Sequence, residues 1–283
     1  MAKTHIEGET KQQRKARKAL EKAQKSVESS QDLPQKSAEP VVVKQPNLPK
    51  AKRYVCCLKY GNKYSADYVN NLYNMVTRNL TVEHEFVCFT EDSRGIDPNI
   101  RIEPLPSLPV TGWWYKPMFF NPDLGLRGTL LFLDLDMVIF KNIDNLFTYK
   151  PDQFCIIRDF NRHVIKHYNK FNSSIFRLTT GQHAHVYKTF LTDPKNISKR
   201  YHGDQDWIRH CIKKDYEYWP EEWIQSYKWE MRGKPRFDAK PRGQRDFLTP
   251  GDPKILPETS IAVFHGDPNP HNCKDQWVVD NWQ

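Results

Sequence analysis

The polar and apolar positions change period repeatedly along the chain. Tyr54–Leu58 is a short apolar run, the pattern of a buried strand. Ser65–Arg78 then places Tyr68, Leu72, Met75 and Val76 at helical spacing, with Ser65 positioned to cap the helix. Glu85–Phe89 and Arg101–Glu103 read as strands, and Gly112–Phe120 as an aromatic-rich helix. Thr129–Leu133 is the strongest strand in the chain and runs directly into Asp134. Phe154–Ile157 and Asn172–Leu178 follow as strands, Gln182–Leu191 and Asp204–Ile212 as helices. Ile261–Phe264 is a last strand before a loop of Gly, Pro and His. Strands alternating with helices predict an α/β fold on a mostly parallel central sheet. Such sheets bind ligands at the carboxyl ends of their strands, where Asp134 and His265 both fall.

The first 53 residues break this pattern. They contain no Phe, Tyr or Trp, whereas residues 54–283 hold all 15 Phe, 13 Tyr and 8 Trp. They carry 13 Lys and Arg against 6 Asp and Glu, so most of the formal net charge of +9 belongs to them. We expect residues 1–53 to be a disordered basic tail, ending in a linker marked by Pro40, Pro46 and Pro49. Residues 54–283 are expected to form one domain, since a single α/β domain commonly reaches about 250 residues. That body is close to neutral, which argues against a dedicated nucleic-acid-binding domain and leaves the tail as the candidate contact for a polyanion. No stretch approaches the roughly 18 apolar residues of a membrane span. The N-terminus lacks the apolar core of a signal peptide, which predicts a cytoplasmic location. The six cysteines form no Cys-x-x-Cys pair, so reduced, buried thiols are expected rather than a zinc knuckle.

Chemistry concentrates where the strongest strand ends. In Asp134-Leu135-Asp136 two carboxylates one residue apart project to the same side of an extended chain. They repel unless a cation neutralises them, and hard oxygen ligands suit Mg²⁺ or Mn²⁺. Such a cation can neutralise nucleotide phosphates and stabilise a leaving group. The plainer alternative is a solvated turn with two surface acids.

Three further segments follow in order: Phe171-Asn172-Ser173-Ser174, Gly203-Asp204-Gln205-Asp206 and Phe264-His265-Gly266-Asp267-Pro268. With these, the chain from Tyr54 to about Trp277 resembles glycosyltransferases of the GT-A fold, especially the glycogenin-like family 8 group and its uncharacterised bacterial and phage relatives. The resemblance implies metal-dependent transfer of a sugar from a nucleotide-sugar donor, by default a UDP-sugar, to a saccharide or lipid-linked glycan. It implies that Asp134, Asp136 and His265 hold Mn²⁺ (or Mg²⁺), with Asp134 also at the donor. Lys116, in Gly112-Trp-Trp-Tyr-Lys-Pro117, matches a basic residue facing the donor phosphates. Asn172 and Ser173 match the donor-sugar strand, and Asp204 and Gln205 the catalytic Asp-Gln step beside the anomeric carbon. Tyr60 and Tyr64 fall where the family stacks the nucleotide base. The chain departs from the family's His-x-x-Gly-x-x-Lys loop. It has Gly directly after His265 and no lysine at the phosphate position, which leaves His271 to make that contact or leaves it unmade.

Each residue also has a structural alternative. His265 fits a backbone-bonded loop histidine, Lys116 a snorkelling side chain, Asn172 a local turn bond and Asp204 a helix cap. The aromatics of Trp219–Lys228 fit either an acceptor platform or core packing. Two other classes compete. A haloacid-dehalogenase-type phosphohydrolase also has an apolar strand ending in Asp-x-Asp, but that motif opens its domain and needs a later acidic pair. A non-catalytic nucleic-acid-binding protein would use the tail. A glycosyltransferase acting on modified bases in DNA is a third acceptor reading.

Overall fold

A computed structural model of the chain describes residues 52–163, 165–233 and 252–283. The predicted basic tail therefore lies outside the described residues up to residue 51. The first strand, β1, spans Lys52–Lys59, so it takes in Lys52 and Arg53 as well as the predicted apolar run.

The remaining strands are β2 Glu85–Thr90, β3 Arg101–Glu103, β4 Gly128–Leu133, β5 Met137–Ile139, β6 Cys155–Arg158, β7 Phe171–Thr179, β8 Glu217–Tyr218, β9 Ile224–Ser226 and β10 Ile261–Val263. Seven of them form one sheet in the order β3-β2-β1-β4-β7-β6-β8. The pairs β1–β2, β1–β4, β2–β3 and β6–β8 are parallel, so the predicted α/β class with a mostly parallel sheet is observed. Strand β7 runs antiparallel to both β4 and β6, which periodicity alone does not reveal. A second sheet, β5-β10-β9, has three strands.

Burial on both faces explains the unbroken apolar runs. Along β1, Val55 and Cys57 join the core beneath the helix Ala66–Asn79. Tyr54, Cys56 and Leu58 alternate to the other face, against Trp114, Phe119, Phe190 and Trp207. That second face is aromatic throughout, with Phe176 stacked on Phe132 at 4.8 Å and on Phe120 at 5.8 Å. Gly128 opens β4 at φ +145°, and a Cβ there would lie 2.0 Å from the Lys52 carbonyl oxygen. Only glycine lets β4 approach β1 this closely.

Two predicted helices change form. Gly112–Phe120 is a 3₁₀ helix and contains Pro117, which has no N–H to donate and disfavours a regular α-helix. The helix expected over 182–191 begins only at His185, since Gly181 and His183 both turn the chain at positive φ, 88° and 54°. The buried guanidinium of Arg177 on β7 donates to the carbonyls of Leu146, Tyr149, Lys150 and Gln153. It thereby ties the loop before β6 to the sheet. Trp219 and Tyr227 are buried and Trp223 packs on Tyr149. These aromatics are packed in or against the core.

Candidate active site

The carboxyl ends of the parallel strands open into a cleft of about 270 Å³. The Asp-x-Asp turn forms its floor, pinned at both ends. Asp134 N–H donates to the Ser174 carbonyl (2.8 Å), continuing the β4–β7 ladder. Phe264 N–H donates to the Asp136 carbonyl (2.8 Å), continuing the β5–β10 ladder. Leu135, between them, is buried in the core, so both carboxylates are held on the cleft side.

The two acids have different partners. Asp134 Oδ2 accepts from the Lys116 ammonium at 2.8 Å, and Lys116 also donates to the Ser173 carbonyl at 3.2 Å. Lys116 is almost fully buried, so it is not a snorkelling side chain. Burial works against its charge, but Asp134, Asp204 and Asp136 outweigh that and raise its pKa. Asp136 Oδ2 accepts from the Tyr64 hydroxyl at 2.7 Å. Burial and the neighbouring Asp134 carboxylate push the Asp136 carboxyl up to about 6.

Ser173, Asp204 and Gln205 close the opposite wall. Ser173 Oγ donates to Asp204 Oδ2 at 2.6 Å. Burial raises the Asp204 carboxyl, against the opposing influence of Lys116 and the Ser173 bond. Asp204 begins the helix Asp204–Ile212, but Gly203 occupies the cap position, so the side chain is free of a capping role. Gln205 Nε2 donates to Asp159 Oδ2 at 3.0 Å. Asp159 also accepts from the backbone and amide of Asn161, at 2.7 and 2.9 Å.

Of the residues singled out in the sequence, Tyr60, Tyr64, Lys116, Asp134, Asp136, Ser173, Asp204 and Gln205 all line this cleft. Tyr64 differs in detail: its hydroxyl is committed to Asp136, because burial favours satisfying both groups. Three residues are elsewhere. Asn172 Oδ1 accepts from Ser174 N–H at 2.8 Å, the local turn bond that asparagine favours. His271 is exposed, and its Nδ1 shares a 2.5 Å hydrogen bond with the Tyr68 hydroxyl. His265 directly follows Phe264, yet its Nε2 shares a 2.6 Å hydrogen bond with Ser226 Oγ. Its ring stacks on Phe160, 5.7 Å between centroids, and meets Trp229 edge-on at 4.4 Å. Burial and the Lys228 charge lower its pKa to about 4, so the imidazole is neutral. Among the described residues, no three His, Cys, Asp or Glu side chains form a cluster that could hold a metal by themselves. The expected grouping of His265 with Asp134 and Asp136 is therefore not formed; the ring is engaged by Ser226 and its aromatic neighbours.

Lys63 and His202 line the cleft from outside the quoted segments, and Trp113 and Gly203, inside them, are given no role by the sequence reading. Asp159, behind Gln205, escaped that reading too. Position next to the Asp-Gln step signals His202 and Gly203; no local pattern signals Asp159.

No protein-family model matches the chain, and no curated protein matches it by sequence. Solved structures do match by shape. An active-site mutant of LgtC superposes with a TM-score of 0.55 at 12% identity, covering 80% of this chain and 93% of that one. The galactosyltransferase LgtC, solved in complex with donor and acceptor sugar analogs, superposes with a TM-score of 0.51 at 12% identity, covering 81% and 96%. The chain thus has the GT-A fold of these glycosyltransferases across nearly their whole length. Among the described residues no helix is long and apolar enough to cross a membrane.

Proposed function

We propose that the protein is a metal-dependent glycosyltransferase that moves a sugar from a nucleotide-sugar donor, by default a UDP-sugar, to an acceptor hydroxyl. The observation that carries this reading is convergence. Asp134 and Asp136, Lys116, Ser173, and Asp204 with Gln205 come from separate parts of the chain and face one cleft in a GT-A fold.

The site fits a divalent cation shared with a diphosphate. Two oxygen-donor acids suffice when substrate phosphates complete the shell. Burial is the main cause that raises the Asp136 pKa to about 6, and the neighbouring Asp134 carboxylate adds a repulsion that a cation would relieve. When bound, Mn²⁺ or Mg²⁺ would neutralise the charge developing on the leaving diphosphate. Lys116 adds a buried positive charge beside Asp134. Tyr64 holds Asp136 in place through its hydroxyl bond. Ser173 orients Asp204, whose carboxylate stabilises positive charge building at the anomeric carbon. Asp159 holds the Gln205 amide, fixing its carbonyl end beside the same carbon. The bond from the anomeric carbon to the diphosphate breaks, a bond to the acceptor oxygen forms, and that hydroxyl's proton passes to an oxygen of the departing diphosphate.

The test is a donor-hydrolysis screen of UDP-, GDP- and CDP-sugars with and without Mn²⁺, which needs no acceptor. Mn²⁺-dependent release of nucleoside diphosphate from one donor is expected. Absence of turnover with every donor, together with absence of UDP binding, would overturn the reading.

A further inference from the structure

A second groove, of about 590 Å³, begins where the candidate active site ends. His202 lines both. The helix Asp204–Ile212 also belongs to both: Asp204 and Gln205 face the active-site cleft, while Asp206, Arg209 and His210 face the groove. Arg209 lies five helical steps from Asp204, about 7.5 Å at about 1.5 Å per residue, which is close to one nucleotide or one sugar.

The groove's charge is one-sided. Arg200, Arg209, Lys213 and Lys214 line it against the single acid Asp206. Asp206 is itself shared between Lys170 at 3.5 Å and Arg209 at 3.9 Å. Arg200, Lys213 and Lys214 have no carboxylate partner among the described residues, in a body that is close to neutral elsewhere. Rings are interleaved with these cations. His202 and His210 are exposed, Tyr216 is half-buried, and Tyr201 packs on His210 at 5.3 Å.

The backbone supplies an independent observation. Lys213 sits at φ +58°, ψ −79°, and Lys214 N–H donates to the Ile212 carbonyl at 2.7 Å. This is a positive-φ γ-turn, a rare and strained conformation for a side-chain-bearing residue. A glycine would relieve it. Instead a lysine stands there, and the turn presents two consecutive ammonium groups at the groove.

Resting on the glycosyltransferase reading, we propose that this groove is the acceptor subsite and that it takes a single-stranded nucleic acid, which it guides past His202 toward the donor sugar. Cations spaced among ring faces suit a chain of alternating phosphates and bases, the arrangement used by sequence-tolerant strand binders. A neutral saccharide would gain nothing from four cations.

The test uses the full chain and a fluorescently labelled 12-nucleotide single strand, followed by anisotropy over a salt series. The Lys213→Gln/Lys214→Gln variant is compared with the parent, and circular dichroism reports its fold. Loss of two phosphate contacts should lower the salt slope by about 1.4 and weaken binding about 10–30-fold at 0.1 M salt. Equal affinity and equal slope for the two proteins would overturn the proposal and assign any strand binding to the basic residues 1–53. Displacement of the strand by a phosphorylated oligosaccharide at lower concentration than by unlabelled strand would also overturn it, in favour of an anionic glycan. Mn²⁺-dependent UDP binding by the parent reports on the enzymatic reading separately. Groove-dependent strand binding without UDP binding would overturn that reading, and UDP binding without groove-dependent strand binding would overturn this one.

Discussion

Asp136→Asn should make the metal-free protein more stable. The Asp136 carboxyl is carried from its ordinary 3.8 to about 6 by burial and by Asp134. At about 1.4 kcal/mol for each tenfold change in proton affinity, the charged form costs about 3 kcal/mol in the folded state. Asparagine removes that charge and keeps an oxygen that can accept from Tyr64, but it buries an amide that needs partners of its own. A net gain of about 1–2 kcal/mol remains. Its pH dependence follows from the raised pKa. Below 3.8 the aspartate is protonated in both folded and unfolded chains and costs nothing. Between 3.8 and about 6 the folded form holds its proton while the unfolded form loses it, so parent stability falls as pH rises. The advantage of the variant should grow through this window and be complete above it. Urea denaturation in EDTA at pH 4, 5, 6 and 8 measures it. With Mn²⁺ and UDP at about 100 times their dissociation constant, the parent should gain about 2.7 kcal/mol that the variant lacks, reversing the order. A variant no more stable than the parent at pH 8 in EDTA would refute the claim that this acid is held at a cost.

Other outcomes follow from the same geometry. Lys116→Met should destabilise the protein by about 3 kcal/mol in denaturant titrations, because it leaves Asp134 beside Asp136 without its ammonium partner. Asp204→Asn should lower the rate of donor hydrolysis about 10²–10⁴-fold in steady-state assays, with little change in UDP affinity by calorimetry. His265→Ala should weaken Mn²⁺-dependent UDP binding more than His271→Ala if the imidazole exchanges Ser226 for the metal; equal calorimetric affinities would leave the cation to the two aspartates and the diphosphate. Deletion of residues 1–51 should leave donor hydrolysis within about twofold, since β1 begins at Lys52.

The parts of this protein legible in its sequence are those set by short-range physics. Thr129–Leu133 reads as a strand because Leu130–Leu133 is an unbroken apolar run, and it runs to Asp134 as expected. The helix Asp204–Ile212 is found at its predicted bounds because its polar and apolar positions keep one period. Contacts made by chain ends far apart were not legible. The antiparallel direction of β7 depends on a connection through β6 and the loops around it, and no residue of Asn172–Leu178 encodes it locally. His265 sits in the right loop, but which way its ring turns depends on Ser226, Phe160 and Trp229, none of them near it in sequence. The same holds for Asp159, whose bond to Gln205 spans 46 positions. The phosphohydrolase alternative required an Asp-x-Asp strand that opens its domain; β4 is instead the fourth strand of the body and lies at the centre of the sheet.

The Asp-x-Asp turn has a mechanical property that neither acid has alone. Asp134 is bonded through its amide to the large sheet, and Asp136 through its carbonyl to the small one. The turn is therefore a backbone junction between two sheets whose buried side chains share one core. A ligand gripping both acids would add a second link between the sheets, at the cleft surface and outside the core they share. Amide hydrogen exchange should register this at a distance. Binding at the turn should slow exchange together in β7, through Ser174, and in β10, through Phe264, so that two strands separated by some 90 residues of chain breathe as one.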